Sequence, residues 1–125
     1  MNQDALHVDG GFIVNKLIFD IHKPRGQGYA KINYDKDNRQ EIYLPSQDNT
    51  NQETELFALL CGLTECIRLG KKHIVTDSEW AMHMAKGDYK PKDDRFKLIT
   101  YALQSLLKFY KIEITWINRE QNYAT

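Results

Sequence analysis

No run of about 18 apolar residues occurs in this 125-residue chain, so no membrane-spanning helix is expected. The opening residues, MNQDALHVDGG, lack the basic start and apolar stretch of a secretory signal, which makes the cytoplasm the expected location. Cysteine is scarce. Cys61 and Cys66 are the only two, and they fall on different faces of one expected helix. They are badly placed to bridge each other, and without paired histidines they make no zinc site, so reduced, partly buried thiols are expected. Repeats and low-complexity tracts are absent, which excludes solenoids and disordered linkers. There is no charge excess either, with 17 basic residues against 17 acidic. A balanced chain is a poor nonspecific polyanion binder, although a local basic face remains open to it. Candidates for such a face run from Lys23 and Arg25 to the cluster Lys90, Lys92, Arg95 and Lys97.

What is present is ordinary globular material, 42% hydrophobic and 27% charged, in a length that suits one domain over 1–125. Residues 5–12, 28–34 and 39–45 read as three strands. HKPRGQG (22–28) and DKDN (35–38) act as turns, and LIFDI (17–21) extends or pairs with the first strand. Then the apolar period changes. Thr50-Asn51-Gln52-Glu53 has the form of a capping box, followed by Leu56, Leu59, Leu60, Leu63 and Ile67 at helical spacing and Gly70 as a C-cap. A short apolar strand (73–77), a short helix (78–87), a long amphipathic helix from about Asp94 to Lys111 and a last strand (112–117) complete the chain. The expected fold class is α/β: a mixed five-stranded sheet, antiparallel meander first and αβ units after, flanked by helices.

Three acids stand out against this pattern. Asp9 interrupts an apolar strand, where burying a charge is costly unless it is paired. Asp77 ends the strand His73-Ile74-Val75-Thr76, and Glu55 sits one turn into the first helix beside its apolar stripe. Each has an ordinary explanation: a turn residue before Gly10-Gly11, a helix cap before Ser78, a first-turn acid favoured by the helix dipole. Together they suggest more, because like charges that converge make sense mainly as a site for a hard cation. His7 and His73 read as packed, hydrogen-bonded histidines and Trp116 as core.

The segments Val8-Asp9-Gly10-Gly11, Thr50-Asn51-Gln52-Glu53-Thr54-Glu55-Leu56-Phe57-Ala58 and Val75-Thr76-Asp77-Ser78 occur in the order and spacing of one family. Over nearly its whole length the chain resembles the ribonuclease H family. The resemblance implies a metal-dependent endonuclease that cuts the RNA strand of RNA–DNA hybrids, with Asp9, Glu55 and Asp77 as catalytic residues and metal ligands. It implies two Mg²⁺ or Mn²⁺ ions about 3.5–4 Å apart once substrate is bound, bridged by Asp9, with Glu55 and Asp77 on the leaving-group side. Gly10, Gly11, Asn51, Gln52 and Ser78 inherit substrate contacts, and Trp80 and Asn122 are weaker candidates. The family's fourth carboxylate matches the position just past Thr125, and Glu120 is the nearest acid within the chain. Two rivals therefore stand beside the hybrid nuclease. One is an impaired module that binds nucleic acid or protein without cleavage, and the other is a DNA-directed enzyme on the same fold.

Overall fold

Local chemistry sets the helix boundaries, and strand pairing sets the rest. The computed structural model describes residues 5–14, 25–46 and 48–124. The expected strand extension at 17–21 and the candidate Lys23 lie outside them. The elements run β1 (Leu6–Val14), β2 (Gly26–Asn33), β3 (Arg39–Tyr43), α1 (Asn51–Leu69), β4 (His73–Thr76), α2 (Glu79–Lys86), α3 (Asp94–Tyr110) and β5 (Glu113–Trp116). A short 3₁₀ turn, Arg119–Gln121, follows.

The sheet has the order β3-β2-β1-β4-β5. The meander β1–β2–β3 is antiparallel, whereas β4 runs parallel to β1 and β5 parallel to β4. The fold class expected from the sequence is the one observed. Helix α1 lies against the middle of the sheet. Leu6 and Val8 of β1, Ala30 and Ile32 of β2, Ile74 of β4 and Leu56, Leu59 and Leu63 of α1 have no exposed surface. Burying each large aliphatic side chain stabilises the fold by roughly 1.5–3 kcal/mol, so this strip supplies much of its cohesion. Gly62 allows α1 to sit close, since a Cβ there would fall 2.5 Å from Cγ1 of Val8.

The capping box forms as its residues suggest. Glu53 N–H donates to the Thr50 hydroxyl at 3.3 Å, and Thr50 N–H donates to the Glu53 carboxylate at 3.2 Å. Gly70 and Gly87 end α1 and α2 at φ 72° and 88°, left-handed conformations that a glycine adopts without steric cost. Lys111 takes the same role after α3 at φ 55°.

Strand ends differ by a residue or two from the sequence reading. β2 starts at Gly26, inside the expected turn, because Gly26 exchanges two backbone hydrogen bonds with Asn49, at 3.0 and 2.7 Å. That bridge, 23 residues apart in the chain, has no local signal. Trp116 is a second correction. It is 42% exposed rather than core, because β5 is the sheet's edge and most of its residues face outward.

Candidate metal centre and nucleic-acid groove

Asp9 and Asp77 come together through strand pairing. β1 and β4 are parallel neighbours, with Val8 registered against Thr76. Asp9 and Asp77 are the next residues of their respective segments. Asp9 lies within β1 and is 9% exposed. Asp77 lies just past the end of β4 and is partly exposed.

Glu55 arrives from α1, and Gly10 makes the approach possible. A Cβ on Gly10 would lie 2.5 Å from the carbonyl carbon and oxygen of Thr54 and 2.7 Å from Glu55 N. Contacts that short leave room only for glycine. Gly10 N–H then donates to Glu55 Oε1 at 3.2 Å, which fixes the carboxylate beside Asp9. Carboxylate oxygens of Asp9, Glu55 and Asp77 all lie within 4.8 Å of one another. Among the described residues they form the one cluster of three or more acids, histidines or cysteines close enough to share an ion.

The electrostatics reflect this crowding. Burial pushes the Glu55 carboxyl up to about 8, with the charges of Asp9 and Asp77 adding to the effect. Asp9 is also raised, first by burial and then by Asp77, while Lys31 pulls it back. Lys31 stands opposite Asp9 in the β1–β2 register and places its ammonium 3.3 Å from Asp9 Oδ2. The donor set is all oxygen and anionic, which suits Mg²⁺ or Mn²⁺ rather than a soft metal. A divalent cation there would offset the burial and the repulsion that raise Glu55, so the residues fit such an ion.

The other expected site residues divide into two groups. Asn51 and Gln52 are exposed on the first turn of α1. Ser78 caps α2, accepting from Ala81 N–H at 3.2 Å, next to Asp77. Trp80 packs edge-on against Phe96, ring centroids 5.6 Å apart. Both rings help line a groove of about 630 Å³ with Gln52, Tyr89, Lys90 and Lys92. Within the basic cluster, Arg95 pairs with Glu53 and Lys97 with Asp94, whereas Lys90 and Lys92 have no ion-pair partner among the described residues. A larger cavity of about 740 Å³ between α2, α3 and β5 contains none of the three acids.

The second group is engaged in packing and hydrogen bonds of the fold or lies away from the cluster. Gly10 holds the packing described above, and Gly11 faces the Tyr29 ring, 2.7 Å from where a Cβ would be. Asn122 is 5% exposed and donates to Val8 O at 3.0 Å, anchoring the C-terminal segment to β1. His7 accepts from Tyr123 N–H at 3.2 Å and stacks on the Tyr123 ring, the packed histidine expected. Glu120 is exposed in the 3₁₀ turn and does not join the acid cluster.

Two residues escaped the sequence reading. Lys31 was hidden because only the strand register sets it beside Asp9. Asn49, buried before the cap of α1, accepts from Gly28 N–H at 2.9 Å and so fixes the entry of the helix that carries Glu55.

Residues 32–125 match the profile of the ribonuclease H-type family described as reverse transcriptase-like. The chain belongs to this family. Solved structures extend the likeness to almost the whole chain. The N-terminal RNase H domain of a Mycobacterium tuberculosis protein, solved as a fusion with maltose binding protein, superposes with a TM-score of 0.70 at 20% identity. That match covers 96% of this chain and 86% of the other. RNase H1 from the halophilic archaeon Halobacterium salinarum NRC-1 gives 0.70 at 16% identity, covering 97% and 89%. LC11-RNase H1, crystallised with an RNA/DNA hybrid, gives 0.67 at 21% identity, covering 94% and 87%. At these identities the structural likeness speaks for the ribonuclease H fold, and the family match carries the kinship.

Proposed function

We propose that this chain is a metal-dependent endonuclease hydrolysing the RNA strand of RNA–DNA hybrids. The observation that carries the reading is the meeting of Asp9, Glu55 and Asp77 within 4.8 Å, from three separate elements. Asp9 would be the ligand common to the ions, and Glu55 and Asp77 would hold the leaving-group side. When bound, a pair of Mg²⁺ or Mn²⁺ ions supplies Lewis-acid activation of the attacking water and neutralises charge on the leaving 3′-oxygen.

The remaining residues position the substrate. Asn51 and Gln52 present exposed amides on the first turn of the helix that carries Glu55, where donors and acceptors can read 2′-hydroxyls and sugar–phosphate atoms. Ser78 follows Asp77 in the chain and carries the hydroxyl that caps α2, a further group for the substrate backbone. Lys90 and Lys92 take backbone phosphates along the groove, and Trp80 with Tyr89 supplies its aromatic wall. An RNase H1 of the same fold binds an RNA/DNA hybrid, which supports a hybrid as the nucleic-acid partner. On this reading residues 1–125 act as one ribonuclease H-like domain.

A second reading rests on a specific observation. The acid cluster has three members among the described residues, and exposed Glu120 supplies no fourth. A module that binds nucleic acid or protein with cleavage impaired would fit that count.

The two separate in one assay. Labelled RNA–DNA hybrid, duplex RNA, duplex DNA and single strands are incubated with the protein in Mg²⁺ and in Mn²⁺. Cleavage confined to the RNA of the hybrid, and abolished by Asp9→Asn, is the expected result. Binding of hybrid without cleavage in either metal would establish the second reading instead. Cutting of duplex DNA would assign a different polynucleotide to the site.

A further inference from the structure

Lys31 is the unusual member of this site. Its ammonium lies 3.3 Å from Asp9 Oδ2, and the two side chains are only 15% and 12% exposed. An ordinary cross-strand ion pair sits in solvent, where it costs little to form. A pair this sheltered gives up hydration on both partners, and two apolar side chains would pack there at less cost. Stability alone is therefore a weak reason for a lysine at this position. Its setting gives a stronger one, because the carboxylate it meets is a member of the acid trio.

Charge accounting makes the case quantitative. The three carboxylates carry three negative charges when ionised. One divalent ion and the Lys31 ammonium together carry three positive charges, and the site is neutral. Two divalent ions plus Lys31 would leave an excess of two positive charges among partly buried groups, where opposing charge is scarce and poorly screened. Position agrees with charge. Lys31 already occupies Oδ2 of Asp9, one of the two oxygens through which Asp9 would be shared between two ions.

From this we infer that Lys31 stands in for the second cation, so the substrate-free protein takes up a single divalent ion. The inference rests on the metal-dependent reading above and concerns how the site fills. A second ion becomes favourable when the substrate phosphate adds negative charge and Lys31 yields its hold on Asp9. Lys31 acts through Asp9, as a positioning residue and a fixed charge. The consequence is a site kept from over-filling until nucleic acid arrives, which ties metal occupancy to substrate.

The test is ion stoichiometry in the absence of nucleic acid. Mn²⁺ is titrated into wild-type protein, Lys31→Met, Lys31→Gln and Lys31→Arg, with bound ion counted calorimetrically and by the electron spin resonance of free Mn²⁺. Thermal melts check that each variant is folded. Wild type and Lys31→Arg are expected to bind one ion, and Lys31→Met and Lys31→Gln two. Gln keeps a polar contact to Asp9, so it serves if the Met variant does not fold. Two ions on the wild type would overturn the inference, and so would a single ion on the folded Met or Gln variant. If no protein in the series binds Mn²⁺, the metal-dependent function falls as well. Equal binding of one ion throughout sinks the role of Lys31 alone.

Discussion

Replacing Glu55 by Gln should make the metal-free protein more stable while removing its catalytic use. The amide keeps the shape of the side chain and an Oε1 able to accept from Gly10 N–H, now at 3.2 Å. What it removes is a carboxyl that burial and the neighbouring Asp9 and Asp77 charges push from 4.5 to about 8. A carboxyl raised in the folded state holds its proton there more tightly than in the unfolded chain. Its contribution is intact below the unfolded value and is lost as pH climbs toward 8. Converting that shift gives a penalty of about 1 kcal/mol at pH 5 and about 4 kcal/mol at pH 8, as upper figures. For a domain of this length, 1 kcal/mol corresponds to roughly 3–5 °C in Tm. In EDTA, Glu55→Gln is expected to melt about 10 °C or more above the wild type at pH 8 and only a few degrees above it at pH 5. Saturating Mg²⁺ should narrow the gap at pH 8, because the wild type gains more from an ion it holds with all three acids. Hybrid cleavage should be lost. Differential scanning calorimetry at the two pH values decides the matter. An equal or lower melting point for the variant at pH 8, or a gap that does not change with pH, refutes the argument that Glu55 is held in the cluster against repulsion.

Other predictions follow from the same geometry. Gly10→Ala puts a methyl group 2.5 Å from the Thr54 backbone, so α1 must retreat; a loss of about 1–3 kcal/mol by urea denaturation is expected, with cleavage reduced even where the protein is folded. Asp9→Asn should bind hybrid in electrophoretic mobility shifts as the wild type does, and cut none of it. Lys90→Ala with Lys92→Ala removes two cations from the groove, and the slope of log K against log salt should shrink by about 1–2, with binding weakened on every sequence alike; an unchanged slope would remove this groove from the nucleic-acid path.

Features written in local chemistry were readable from the chain. Thr50 and Glu53 cap a helix because their side chains reach backbone groups three residues away, and Gly70 and Gly87 end helices by their own freedom at positive φ. The acids Asp9, Glu55 and Asp77 were readable as exceptions, charges set against apolar periodicity. What the chain did not show was set by pairing across distance. Lys31 looked like any strand lysine until the β1–β2 register put it opposite Asp9. Gly10 read as a substrate contact, and the chain gave no sign that its bare Cα also receives α1, a packing demand from 45 residues away. Trp116 read as core because tryptophans usually are, and lies half open because β5 is the edge strand of the sheet among the described residues. The same blindness hid the role of Asn122, whose partner is Val8 O at the far end of the chain.

These long-range relations also explain why the acids meet where they do. The sheet changes character at β1, antiparallel toward β2 and parallel toward β4. Strands that run parallel point their following residues the same way, so the residues just after Val8 and Thr76 emerge side by side. Asp9 and Asp77 are those residues. Such a change of direction is where open α/β sheets present their chemistry. The third acid has no strand to bring it there, and α1 can deliver Glu55 only across a surface shaved flat at Gly10 and entered at the angle set by Asn49 and Thr50. The fold therefore spends two of its irregularities, a glycine inside a central strand and a buried asparagine before a helix, on bringing a carboxylate to a place where it is electrostatically unwelcome. Both also seat α1 on the sheet, but packing alone calls for no carboxylate at position 55. A cation to receive the carboxylate is the simplest reason for both.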